Sequence, residues 1–136
     1  RQWNLVDNPD LDYHYLGDFD REMLRVIKSE PQFNLTPVQE IWHNDGDQIL
    51  AFERGSLVFV FNFSPTRSYT DYGFLVKEGS YRVVLNTDAK CFGGYGFADD
   101  SVEHFTNPDP LYAKDHKGWL KLYIPARSAV VLRKSE

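Results

Sequence analysis

The chain of 136 residues has one cysteine, Cys91, and one methionine, Met23. A lone cysteine excludes an intrachain disulfide framework, and it has no neighbouring Cys or His to form a zinc-type ligand pair. Long apolar runs are absent too. The longest, Leu57 to Phe61, falls far short of the roughly 20 residues of a membrane-spanning helix. Basic charge is scarce, with a formal net charge of −5 and no Lys/Arg block longer than Arg133-Lys134. That balance argues against nucleic acid and anionic membrane as partners, while a neutral polysaccharide is indifferent to it. No basic segment followed by an apolar stretch marks a secretory leader, so a cytoplasmic location is expected. The chain opens at Arg1, with Trp3 and Leu5 close behind, and reads as a piece of a longer protein. Its length suits one domain and is too short for a complete catalytic barrel of ~250 residues.

What the sequence does have is aromatics: ten Phe, eight Tyr and three Trp, 15% of the chain. Such residues favour strands, and they also make surfaces on which sugars stack. Residues 1 to 17 show no clean period and read as loop or a short helical turn. Asp18 then suits an N-cap, with Asp20 and Glu22 in the first turn, and Phe19, Met23 and Ile27 recur every four residues, predicting one amphipathic helix. Pro31 ends it, and a linker runs to Pro37.

From Val38 onward, strand signals and tight turns alternate at the spacing of an antiparallel β-sandwich, so the fold class is all-β preceded by one α-helix. Val38 to His43 and Gln48 to Glu53 flank Asn44-Asp45-Gly46-Asp47, where the Asp-Gly step is expected to supply the positive φ of the hairpin turn. Ser56 to Phe63 is apolar on both alternating sets, with Leu57, Phe59, Phe61 and Phe63 on one side and Val58 and Val60 on the other. Such a strand must be covered on both faces, one by the opposite sheet and the other by the helix together with the rest of the longer protein. Tyr69 to Val76 and Ser80 to Thr87 follow, joined through Gly79. Residues 89 to 117 are expected to be mostly loop, with a short strand near Val102 to Phe105. Trp119 to Ile124 and Ala129 to Leu132 close the chain, and Trp119 is expected in the core.

No catalytic constellation emerges. A retaining glycosidase needs two carboxylates ~5 Å apart on a rigid frame. The acids here, Asp7, Asp10 and Asp12, Asp45 and Asp47, and Asp99, Asp100 and Glu103, read as turn formers and solvated charges. His14, His43, His104 and His116 lack metal-ligand spacing. Gly93-Gly94-Tyr95-Gly96 lacks the order that cradles phosphate. No catalytic, cofactor or metal residue is therefore assigned. Tyr95, Phe97 and Trp42 remain as candidate glucan-stacking residues, against the commoner role of such side chains as half-buried core with a hydrogen-bonded tip.

Several ordered motifs carry a resemblance. Phe52-Glu53-Arg54-Gly55, Leu57 to Phe63, Ser68-Tyr69-x-Asp71-Tyr72, Leu85 to Ala89 with Phe92-Gly93-Gly94, His104-Phe105-Thr106 and Tyr123 to Ala129 resemble the C-terminal domain of eukaryotic-type 1,4-α-glucan branching enzymes. Arg1 to Leu5 and Phe19 to Met23 resemble the segment that closes their catalytic barrel. Ser64 departs from the pattern where His would stand, and Gly73-Phe74 replaces an Arg-Val step, changes expected to affect surface contacts only. The resemblance implies an amylase-type C-terminal sandwich in residues 38–136, and a barrel-closing helix and linker in 1–37. It further implies a parent whose catalytic carboxylates lie upstream of Arg1. The partners it implies are that barrel, within one polypeptide, and α-glucan or glycogen.

Overall fold

The computed structural model describes residues 13–30, 33, 36–89 and 102–135. Helix α1 spans Tyr13–Lys28, so Asp18 lies inside it and is not its N-cap. Asp18 instead accepts a bond from Arg21 at 2.9 Å, one turn along, and Arg25 pairs with Glu22 in the same way. The helix buries Val26, with Phe19 and Met23 packed beside it, an i, i+4, i+7 stripe. Past its end the Ser29 hydroxyl donates to Val26 O at 2.7 Å, satisfying a terminal carbonyl.

Nine strands follow among the described residues: β1 Gln39–Asn44, β2 Ile49–Arg54, β3 Leu57–Asn62, β4 Tyr69–Lys77, β5 Ser80–Asn86, β6 Glu103–Phe105, β7 Asn107–Pro108, β8 Lys117–Ile124 and β9 Ser128–Ser135. The larger sheet has the order β1-β2-β3-β9-β5-β6 and the smaller β4-β8-β7. The final strand, β9, thus sits between β3 and β5, with antiparallel partners on both sides.

The two-sided character of β3 is resolved by two cores. Val58 and Val60 join Ile49, Ala51, Val130 and Leu132 in meeting Phe74, Val76, Leu120, Leu122 and Ile124 of the smaller sheet. Leu57 and Phe59 face the other way, with Leu85 and Val131, against Val26 of the helix. The β5 bulge between Val83 and Leu85 shifts the strand's phase. Val83 therefore packs in the inter-sheet core while Val84 and Leu85 pack on the helix side, as the extra residue of a bulge allows.

Local chemistry differs from expectation at three places. The positive φ of the β1–β2 turn belongs to Gln48, at 60°, and not to Gly46; the Asn44 side-chain oxygen holds the turn by accepting the Asp47 N–H at 2.9 Å. Ser64 is buried at 1% exposure, and its hydroxyl accepts the Arg67 N–H at 3.0 Å. Position 64 therefore belongs to the scaffold and is not a surface contact. Trp119 is half-buried on the outer side of β8, because Leu120, Leu122 and Ile124 occupy the inward phase.

Candidate functional site

Of the three residues proposed to stack on glucan, Tyr95 and Phe97 lie outside the described residues. Trp42 is on β1, at the edge of the larger sheet, and is 44% exposed. The irregular register between Glu40 and Trp42 places it opposite Ala51. Its indole N–H donates to Tyr72 Oη at 2.9 Å, and Tyr72 Oη in turn donates to Asp47 Oδ2 at 2.9 Å. Burial first, then the charge and hydrogen bond of Asp47 acting against the Trp42 bond, raises the Tyr72 phenol above its ordinary value. It therefore stays protonated and remains a donor. Tyr69 Oη adds a bond to Asp47 O at 2.8 Å. This chain of bonds ties the β1–β2 turn to β4 across the open edge of the sandwich. Trp42 is thus both exposed and committed to the scaffold.

A second surface is the outer side of the larger sheet. Phe52 stacks on Phe59 at 4.9 Å between centroids, and on Phe61 at 5.7 Å on its other side. Phe61 stacks on Phe63 at 5.8 Å and 7°. The ladder begins at Phe59, in the core shared with the helix, and ends at Phe63, which is 61% exposed. There it borders an open groove lined by Glu40, His43, Asn44, Leu50 and Phe63. His43 Nδ1 lies 2.9 Å from Glu40 Oε1, and Asp45 also lines the groove.

A third cluster, which the sequence reading did not isolate, sits on the outer face of the smaller sheet. Trp119 donates its indole N–H to Asp109 Oδ2 at 2.9 Å and meets Tyr112 edge-on at 6.1 Å and 86°. Asp109 Oδ1 also accepts the Leu111 N–H at 3.0 Å. The indole bond foremost, then the backbone one, holds the Asp109 carboxyl below its usual value. Gly73 lies diagonally across from Trp119 in the β4–β8 register. A Cβ there would stand 3.6 Å from Trp119 Cε3 and 3.7 Å from Lys121 Cγ. The signal for this placement was in the sequence: Trp119 shares the phase of Lys121, the polar side of the strand.

Among the described residues, no group of three or more His, Cys, Asp or Glu could hold a metal ion, and no helix is long and apolar enough to cross a membrane. His116 occupies the left-handed turn after the short 3-10 helix Ala113–Asp115. Asp45 and Asp47 lie in the β1–β2 turn, Glu103 pairs with Arg82 at 3.6 Å, and Asp7, Asp10, Asp12, Asp99 and Asp100 lie outside the described residues.

Comparison with known proteins supplies the lineage. Over its full length the chain is 42% identical to the 1,4-alpha-glucan-branching enzyme of Saccharomyces cerevisiae. Over 97% of its length it is 38% identical to that of Rhizophagus irregularis. Against the chloroplastic/amyloplastic enzyme of Oryza sativa subsp. japonica, the identity is 42% over 82% of the chain. The chain spans 19% of the length of the first two relatives and 14% of the third. The model of the alpha amylase, C-terminal all-beta domain matches residues 41–135, a segment that takes in all nine strands but the first two residues of β1. The chain belongs to the family of alpha-amylase C-terminal all-beta domains.

Proposed function

We propose that this chain is the C-terminal portion of a cytoplasmic 1,4-α-glucan branching enzyme, in which a catalytic barrel transfers α-1,4-glucan segments to α-1,6 positions. In this reading residues 1–37 are the closing helix and linker of that barrel, and 38–136 form the sandwich that supports it and influences which glucan chains are handled. The alignment of essentially the whole chain with 19% of a much longer enzyme type, together with the match to a C-terminal all-beta domain, carries the proposal. Catalytic residues are assigned to the upstream barrel and none to this chain. The aromatic ladder that runs out from the helix-covered core to exposed Phe63 offers the barrel an apolar flank, since an isolated large aromatic gains little by facing water.

The test is a chimera in which this chain replaces the aligned portion of the Saccharomyces cerevisiae enzyme. Branching is followed by the fall in iodine-stained absorbance of amylose. Activity is expected to be retained, and Phe63→Glu is expected to lower it by removing soluble enzyme. A soluble but inactive chimera would overturn the reading.

A second reading, a glucan-binding module that stacks sugar on Tyr95, Phe97 and Trp42, draws support from the exposure of Trp42. Replacing the three with Ala should abolish retention on glycogen, and undiminished retention would remove it.

A further inference from the structure

We propose that the outer face of the smaller sheet binds a linear α-glucan chain, with the Trp119 indole as the stacking platform and Asp109, Lys121 and Tyr123 as its polar surround. The inference rests on the glucan-handling part of the proposed function and moves the contact to residues that neither reading above uses.

Trp119 is placed by the strand alternation on the side away from both cores. Leu120, Leu122 and Ile124 fill the inter-sheet core, while Lys121 is exposed and Tyr123 half-buried in the same phase as Trp119. At roughly 3.3 Å per residue, Trp119 and Tyr123 stand about 13 Å apart along β8, longer than a single pyranose ring, which favours an oligosaccharide over a monosaccharide.

The indole is also held before any ligand arrives. Its N–H is fixed by Asp109 at 2.9 Å, and Tyr112 packs against it in a T-shaped arrangement. Binding therefore freezes little side-chain freedom, which is where a flexible aromatic loses affinity. Gly73 keeps the diagonal position clear: any side chain longer than a methyl at 73 would begin 3.6 Å from the six-membered ring and extend across it.

The surrounding chemistry matches a neutral polyol. Both Asp109 oxygens are engaged once, by Trp119 and Leu111, which leaves each a further lone pair for a sugar hydroxyl. Lys121 supplies donors, and exposed Lys117 and Lys77, partners in the β4–β8 register, share its outward phase further along the face. The site is on the opposite side of the sandwich from α1 and the Phe63 ladder, so a barrel resting on that flank leaves it open.

Affinity electrophoresis of the full chain through gels cast with and without glycogen tests this, with maltoheptaose as competitor. The chain is expected to be retarded, and Trp119→Ala and Gly73→Leu are each expected to weaken retardation by about tenfold, the loss of one stacking contact. Gly73→Leu covers the platform without removing a packed residue and adopts an ordinary φ, so it separates binding from folding. Leu24→Gln, exposed on α1 at the other side of the sandwich, should leave retardation unchanged. In two-dimensional NMR, maltoheptaose should shift the Trp119 indole N–H resonance. Retardation lost in Trp42→Ala but kept in Trp119→Ala and Gly73→Leu overturns the proposal and leaves the second reading standing. No retardation of the unsubstituted chain overturns both and leaves the barrel-supporting reading, which the chimera tests separately.

Discussion

Tyr81 is buried at 1% exposure near the start of β5, and its hydroxyl donates to Lys77 O at 2.8 Å, at the end of β4. Burial, and secondarily the negative charge of Glu53, raises its phenol well above the ordinary value. A raised folded-state pKa means that the fold favours the protonated form. That stabilisation is complete below the unfolded value of about 10 and is lost as pH rises through the folded one. Tyr81→Phe is therefore expected to be less stable by about 1 kcal/mol near neutrality, for the lost hydrogen bond, but to have a flatter stability profile above about pH 10. Urea midpoints on either side of that pH decide the matter; equal alkaline slopes in both proteins would refute it. Asn62 shows what remained illegible at this scale. Its Nδ2 lies within bonding distance of Arg67 O at 2.9 Å, Pro125 O at 3.1 Å and Ile124 O at 3.3 Å. Nothing local in the sequence joins position 62 to positions 124 and 125, because those contacts arise only when β3 and β8 are brought to the same end of the sandwich.

At the scale of the element, the strands were readable from period and turn residues, and the helix from its stripe. Its start was misplaced because Asp18 has the composition of a cap while its side chain serves an intrahelical pair with Arg21. The fixture that holds the helix to the sheet was not readable at all. Glu30 Oε1 accepts Arg133 Nε at 2.8 Å, Glu30 Oε2 accepts the Ser56 hydroxyl at 2.7 Å, and Arg133 Nη2 reaches Ser29 Oγ at 2.6 Å. Glu30 is largely buried and Arg133 about a third exposed, so solvent screening reduces the pair. Glu30→Ala is expected to cost roughly 1–2 kcal/mol and to accelerate amide exchange in Tyr13–Lys28 ahead of the strands. Unchanged protection of the helix would show that apolar contact alone holds it.

For the molecule as a whole, the larger sheet is covered on its inner face by the smaller sheet and on part of its outer face by the helix, and the smaller sheet is covered on one face. Removing residues 1–37 would strip the helix from Leu57, Phe59, Leu85 and Val131, all buried at 6% exposure or less. The truncated sandwich is expected to self-associate in sedimentation velocity while the full chain remains less associated, since an apolar sheet face of that kind does not persist in water. A monomeric, soluble 38–136 fragment would mean that the sandwich stands without the helix. The Trp119 face should be unaffected by this truncation, which gives the two sides of the molecule separable behaviour.

Sequence alone determined the fold class, the order of the elements and the need for cover on both sides of β3, because alternation, turn residues and apolar content are local properties of the chain. It also carried the family resemblance, through motifs spread from Arg1 to Ala129. Only the tertiary structure decided which face the helix covers, that Ser64 is interior, that Trp42 bridges to Tyr72 and that Asp109 and Gly73 stand beside Trp119. Each of these depends on strand register and sheet order, where a shift of one residue reverses every side chain. Those relations join residues far apart in the chain, such as Trp42 with Tyr72 and Glu30 with Arg133, and no window along the sequence contains both partners.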